Sequence, residues 1–168
     1  PADASTYSWK NDASGDWNVA ANWTVVSGPP GLGYPNASGD IAMVSNVFSI
    51  ERTITIPNGV TVIVSALIIN EARSVTIDAA GTGRLAFQTP TGNAALATSG
   101  GGPHRIAAPI RLDDNLDISV PATNSSVTFG NGISQNLVTP WNITMSGAGF
   151  VRFNSAVANT FGGYFAVN

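Results

Sequence analysis

The sequence predicts an all-β chain wound as a parallel β-solenoid, a right-handed β-helix with a Trp-rich amino-terminal cap, and three observations point there. Charged residues make up only 10% of the 168 residues, with a single lysine, Lys10, and two glutamates, Glu51 and Glu71. Long solvated helices have almost no material to be built from. From Arg52 onward, short alternating runs of β-branched apolar and small polar residues are punctuated by turn residues, the mark of strands with one buried and one wet face. These runs recur roughly every 20 to 25 residues, the range in which coils of a solenoid return to the same face. An antiparallel β-sandwich or jelly roll is the alternative, because Asn58-Gly59 and Asn131-Gly132 also suit tight hairpins.

A chain of this length buries one good core, so residues 1–168 are read as one domain. Residues 1–46 form its first part, in which Trp9, Trp17, Trp23 and Tyr34 are set among Gly, Asn, Asp and Pro, and Gly28-Pro29-Pro30-Gly31-Leu32-Gly33 is neither helix nor central strand. The expected task of this segment is to fold over the end of a sheet stack and blunt its edges. Residues 47–168 hold the rungs. Thr53–Ile56 ends at Pro57-Asn58-Gly59, Val60–Val64 and Ala66–Ile69 end at Asn70, Ser74–Ile77 ends before Gly81-Thr82-Gly83, and Arg84–Phe87 follows. Later units are His104–Leu112 with Leu116–Val120, then Ser126–Phe129 with Ile133, then Ile143–Met145 with Phe150–Phe153.

The last of these units belongs to a recognisable pattern. Gly147 and Gly149 flank a turn, Phe150–Phe153 form a short strand, and Asn159-Thr160-Phe161-Gly162-Gly163 makes a corner. This stretch resembles the autotransporter-associated β-strand repeat, a rung of bacterial surface β-helices whose corner reads Asn-Thr-Tyr-x-Gly-Gly. Here Phe161 stands for the usual Tyr, and the residue before the Gly pair is missing. Tyr7-Ser8-Trp9, Ser14-Gly15-Asp16-Trp17-Asn18 and Ala21-Asn22-Trp23 are similar to the Trp-rich opening of such proteins. The resemblance implies an extracellular or bacterial cell-surface location and brings no catalytic motif with it.

Chemistry is thinly represented. Ten carboxylates face seven bases, and the bases are scattered singly, so no stripe suits nucleic acid. No apolar run is long enough to span a bilayer. Cysteine is absent, which removes disulfide staples and leaves β packing or association to supply stability. His104 is read as a loop histidine without a partner. Asp113, Asp114 and Asp117 are read as a turn of solvated carboxylates, lacking the spacing of a calcium loop. A glycan-cleaving site would draw on Asp78, Arg84, Arg111, Asp113 and Asp114, and no spacing singles out a pair.

The expectation is therefore a non-enzymatic structural or adhesive protein, a self-assembling surface or filament subunit acting through β-strand contacts, with no cofactor and no metal. Its partners are copies of itself or neighbouring subunits, with surface glycans as a further class. Trp9, Trp17, Trp23, Tyr34, Phe161, Tyr164 and Phe165 are the candidate binding or assembly residues. The repeat-like unit reaches Asn168 with no polar cap, so the expectation includes further rungs in a longer polypeptide or docking on another subunit. Pro1 fits a processed amino terminus. Alternatives are a virus capsid decoration subunit and a carbohydrate-binding module using the Trp-rich face.

Overall fold

The computed structural model describes residues 4–136 and 139–168. Pro1, on which the processed-terminus expectation rests, lies outside the described residues, as do the next two residues of the 1–46 segment. Helix is confined, among the described residues, to one 3-10 turn at Ala20–Asn22. The chain opens with β1 (Thr6–Trp9), β2 (Gly15–Asp16) and β3 (Trp23–Ser27). Three-strand coils follow: β4 (Ile41–Ser45), β5 (Arg52–Ile56) and β6 (Thr61–Val64); then β7 (Ala66–Asn70), β8 (Val75–Ala79) and β9 (Arg84–Phe87). Next come β10 (Ala94–Ser99), β11 (Pro103–Ile106) and β12 (Ile110–Leu112), and then β13 (Leu116–Ser119), β14 (Ser126–Phe129) and β15 (Ile133–Gln135). β16 (Ile143–Ser146), β17 (Phe150–Phe153) and β18 (Phe165–Val167) complete the set.

Each coil contributes one strand to each of three sheets. Their orders are β18-β16-β13-β10-β7-β4-β1-β3, β17-β14-β11-β8-β5-β2 and β15-β12-β9-β6. Pairing is parallel throughout the described strands except between β1 and β3. The result is a β-solenoid of about 5 turns, and the sandwich or jelly-roll alternative does not form. The two Asn-Gly pairs are coil corners rather than hairpins. Asn58 Oδ1 accepts the Thr82 amide of the next coil at 2.9 Å, so its side chain ties coils together where a hairpin would have joined adjacent strands.

Alternation explains the core. Inward positions stack in register from coil to coil: Ala42, Leu67, Leu96 and Ile118 in one sheet, Ile54, Ile77, Ile106 and Phe129 in the second, Val62, Leu85, Ile110 and Ile133 in the third. All are buried, and like-shaped side chains stacked at the strand spacing of about 4.8 Å fill the interior without a second layer. The first complete coil begins at Ile41, inside the stretch assigned to the cap by composition.

The corners carry a second ladder that composition alone does not announce. Asn93, Asn115 and Asn142 immediately precede β10, β13 and β16. Asn115 Nδ2 donates to Asn93 Oδ1 at 3.4 Å, the Asn142 amide donates to Asn115 Oδ1 at 2.9 Å, and the Tyr164 amide donates to Asn142 Oδ1 at 3.2 Å. Asn115 and Asn142 each supply an acceptor to a backbone N–H that would otherwise be orphaned at the bend, and Asn93 orients Asn115. Asn115→Ala leaves the Asn142 amide unpaired and is expected to cost about 1–2 kcal/mol. A lowered urea midpoint at unchanged slope is the expected readout, with Asn115→Asp, which retains the acceptor, recovering most of it.

Candidate functional site

The two ends of the solenoid differ in kind. At the amino end, Trp9, Trp17 and Trp23 are buried, at 2%, 0% and 4% exposure. The Trp9 and Trp23 rings meet edge to face at 5.1 Å, and Trp17 and Trp23 meet at 5.1 Å with a 57° tilt. Every indole N–H is spent on a backbone carbonyl: Trp9 on Asn11, Trp17 on Pro35, Trp23 on Trp17. Buried faces and satisfied edges leave nothing to stack on a sugar, so these tryptophans form no glycan platform. Tyr34 is half-buried against the same core and lines, with Tyr7, a small cavity of about 250 Å³.

Strand β3 returns antiparallel along β1 and occupies the outer edge of the largest sheet. Asp12 fastens the loop after β1 to the first coil, accepting from the Ser49 amide and hydroxyl and from Arg52. Those bonds, the serine's first and then the arginine's, pull its carboxyl below the usual range.

The carboxyl end is open among the described residues. Phe150, Tyr164 and Val167 are 57%, 63% and 67% exposed. Phe161 is half-buried and Phe165 is exposed. Met145, Val151, Phe153, Phe161, Phe165 and Val167 line an apolar groove of about 510 Å³. Phe153 stacks on Phe129 at 5.3 Å and takes the edge of Phe165 at 5.3 Å. Strands β15, β17 and β18 lie at the sheet edges on this side. Of the seven candidate residues, the structure gathers Phe161, Tyr164 and Phe165 at the open end and puts Trp9, Trp17, Trp23 and Tyr34 at the closed one. Met145, Val151 and Val167 were not nominated. The alternation running through their strands is the same signal as for core residues, so the pattern by itself does not set them apart.

The repeat-like motif has a clear structural role. Gly147 has φ +102°, and the Gly149 amide donates to the Val120 carbonyl at 2.8 Å, seating the turn on the corner beneath, where a side chain on Gly149 would meet the Ala122 carbonyl at 2.7 Å. Asn159 to Gly162 then lie along β15. Asn159 Oδ1 accepts from the Ile133 amide at 3.0 Å, the Thr160 amide donates to the Ile133 carbonyl at 2.8 Å, and the Gly162 amide donates to Gln135 Oε1 at 2.7 Å.

The ionisable groups are committed elsewhere. His104 is not a loop residue: it lies in β11, 1% exposed, with Nδ1 accepting from the Val75 amide at 3.4 Å and Nε2 buried without a partner. An imidazole with an inward-facing place in a strand is buried whatever its polarity, and burial pushes its pKa down to about 4. The Asp113–Asp117 turn is likewise not simply solvated. Asp113 is buried and paired with Arg111 at 2.6 Å, Asp114 accepts the Thr89 amide at 2.9 Å, and Asp117 accepts from Asn93 at 3.0 Å. Asp78 accepts the amide of Ala79, and Arg84 lies in a different sheet. No group of three metal-ligating side chains occurs among the described residues, and no helix there is long and apolar enough to cross a membrane.

The site that emerges is an apolar groove bordered by strand edges. Comparison with family models, with curated proteins and with solved structures finds no match to this chain.

Proposed function

We propose that this protein is an extracellular structural or adhesive β-solenoid of the autotransporter passenger kind, and that it acts through strand and apolar contacts at the carboxyl end of its coil stack, with a second copy of the chain as partner. The observation that carries this reading is the asymmetry of the ends: three buried tryptophans and an antiparallel strand at one, exposed Phe150, Tyr164, Phe165 and Val167 beside sheet edges at the other. Edge pairing supplies main-chain hydrogen bonds without charged side chains, which suits a chain with so few. With one end closed, self-contact uses the same patch on both copies and gives a closed two-fold pair instead of an open filament.

Sedimentation equilibrium across a concentration series tests the proposal. The expected result is a mass approaching twice 17.2 kDa, reverting to the single mass in Phe165→Asp and in Val167→Lys, with unchanged far-ultraviolet circular dichroism. A single-chain mass at every concentration overturns it, as does association that both variants leave intact. An extended polypeptide whose following segment covers Phe165 would also remain monomeric, and its protection of Phe165 from labelling identifies that outcome as a covered end rather than an interface.

A further inference from the structure

A groove on the outer face of the six-stranded sheet holds unpaired positive charge. Arg105, Thr128 and Arg152 are adjacent in register on β11, β14 and β17, and on β11 and β14 the residues alternating with them are buried. The two arginines stand two strand spacings apart, about 9.5 Å between backbones. Together with Asn154 and Ser74 they line a groove of about 740 Å³. A second groove of about 410 Å³ shares Ser74 and Pro103 with the first and adds Arg73. The two form one continuous track across the sheet.

None of these arginines has a carboxylate within ion-pair distance among the described residues, where the ion pairs are Arg52 with Asp12 and Arg111 with Asp113. In a chain with net charge −3 and seven bases, three free guanidinium groups on one track are a concentration of a scarce residue. Arg105 is also placed: its side chain lies across Gly130, where an added Cβ would stand 2.7 Å from the guanidinium carbon. Ser74, Thr128 and Asn154 add hydroxyl and amide groups, and the second groove also carries one carboxylate, Glu51, against the three arginines of the track.

We propose that this track binds an acidic glycan, a linear polysaccharide bearing carboxylates. Guanidinium forks grip carboxylates in bidentate pairs, and Thr128, Ser74 and Asn154 offer donors and acceptors to sugar hydroxyls. An acidic peptide shares the charge but has no use for the hydroxyl-rich lining. This site shares strand β17, with Arg152 and Phe153, with the self-association surface, and neither proposal depends on the other.

Affinity is to be measured by titration calorimetry of the full chain with polygalacturonate, with neutral dextran and polyglutamate as comparisons. The expected result is binding of polygalacturonate that weakens with added salt, falls at least tenfold in Arg105→Gln/Arg152→Gln, falls several-fold in Gly130→Ser, which keeps the charge but displaces the guanidinium, and is unchanged in Arg84→Gln. Polygalacturonate bound no better than dextran overturns the proposal. Equal loss in Arg84→Gln reduces the effect to general charge, and polyglutamate bound as tightly removes the glycan from it. The exposed positions of Arg105 and Arg152 keep folding intact in the double variant, checked by its urea midpoint.

Discussion

Trp17→Ala is expected to lower stability by about 3–5 kcal/mol, the range for deleting a fully buried aromatic side chain. Trp17 has 0% exposure, its indole N–H is bound to the Pro35 carbonyl at 2.9 Å, and its ring packs on Trp23, which in turn packs on Trp9. Its backbone amide donates to the Thr55 carbonyl at 2.8 Å, which ties the cap to the first coil. Alanine keeps that backbone bond but removes the ring at one end of the three-tryptophan chain and leaves a void beside Trp23. Against a total stability of about 5–15 kcal/mol for a typical domain, the cap is expected to loosen before the coils do. Urea unfolding should show a lower midpoint and a shallower or split transition, and the freed edge of the largest sheet should make the variant self-associate from its amino end. A stability within about 0.5 kcal/mol of the parent, the scale of an ordinary surface change, would show that the tryptophan cluster does not hold the cap.

Acid should weaken the fold between about pH 6.5 and pH 4, and His104 sets that window. Burial, with no carboxylate offsetting it, lowers the imidazole pKa to about 4 from 6.5. Between those values the unfolded chain binds a proton that the folded chain refuses, so stability rises with pH across the window and falls as the solution is acidified. The full shift corresponds to a loss of about 3 kcal/mol on going from neutral pH to pH 4. His104→Gln, which keeps a hydrogen-bond acceptor for the Val75 amide and does not titrate, is expected to flatten this part of the stability profile while leaving carboxylate-driven unfolding at lower pH. Urea midpoints measured at half-unit pH steps provide the check, and an unchanged slope in the variant would assign the acid sensitivity to other groups.

Both predictions concern side chains whose type was plain from the sequence and whose surroundings were not. The tryptophans were expected over the end of a stack, and the structure shows what the sequence did not, that their rings are buried and each indole N–H is bound to a backbone carbonyl. His104 looked like a loop residue because Gly100-Gly101-Gly102-Pro103 precedes it. The strand starts at Pro103 and carries the imidazole inward, since position within the alternation, and not the preceding residues, decides its face. Asp113, Asp114 and Asp117 looked solvated because carboxylates at a turn usually are. Here Arg111, two residues away in the same coil, pairs with Asp113, while the preceding coil supplies the Thr89 amide to Asp114 and Asn93 to Asp117, from 25 and 24 residues away.

What the sequence by itself determined is local: short strands of period two, the turns between them, the scarcity of helix, and a repeat spacing that permits coils. Alternation and turn chemistry act over a few residues, so they can be read from those residues alone. What only the tertiary structure decided is which strands lie side by side. Parallel pairs join residues offset by 22, as in Ala94 and Leu116, to 39, as in Gly15 and Ile54, and no local signal encodes an offset that varies with each corner. From that pairing follow the asparagine ladder, the burial of His104, the open apolar end around Phe165 and the meeting of Arg105 with Arg152, because residues far apart in sequence become neighbours only when each coil closes on the last.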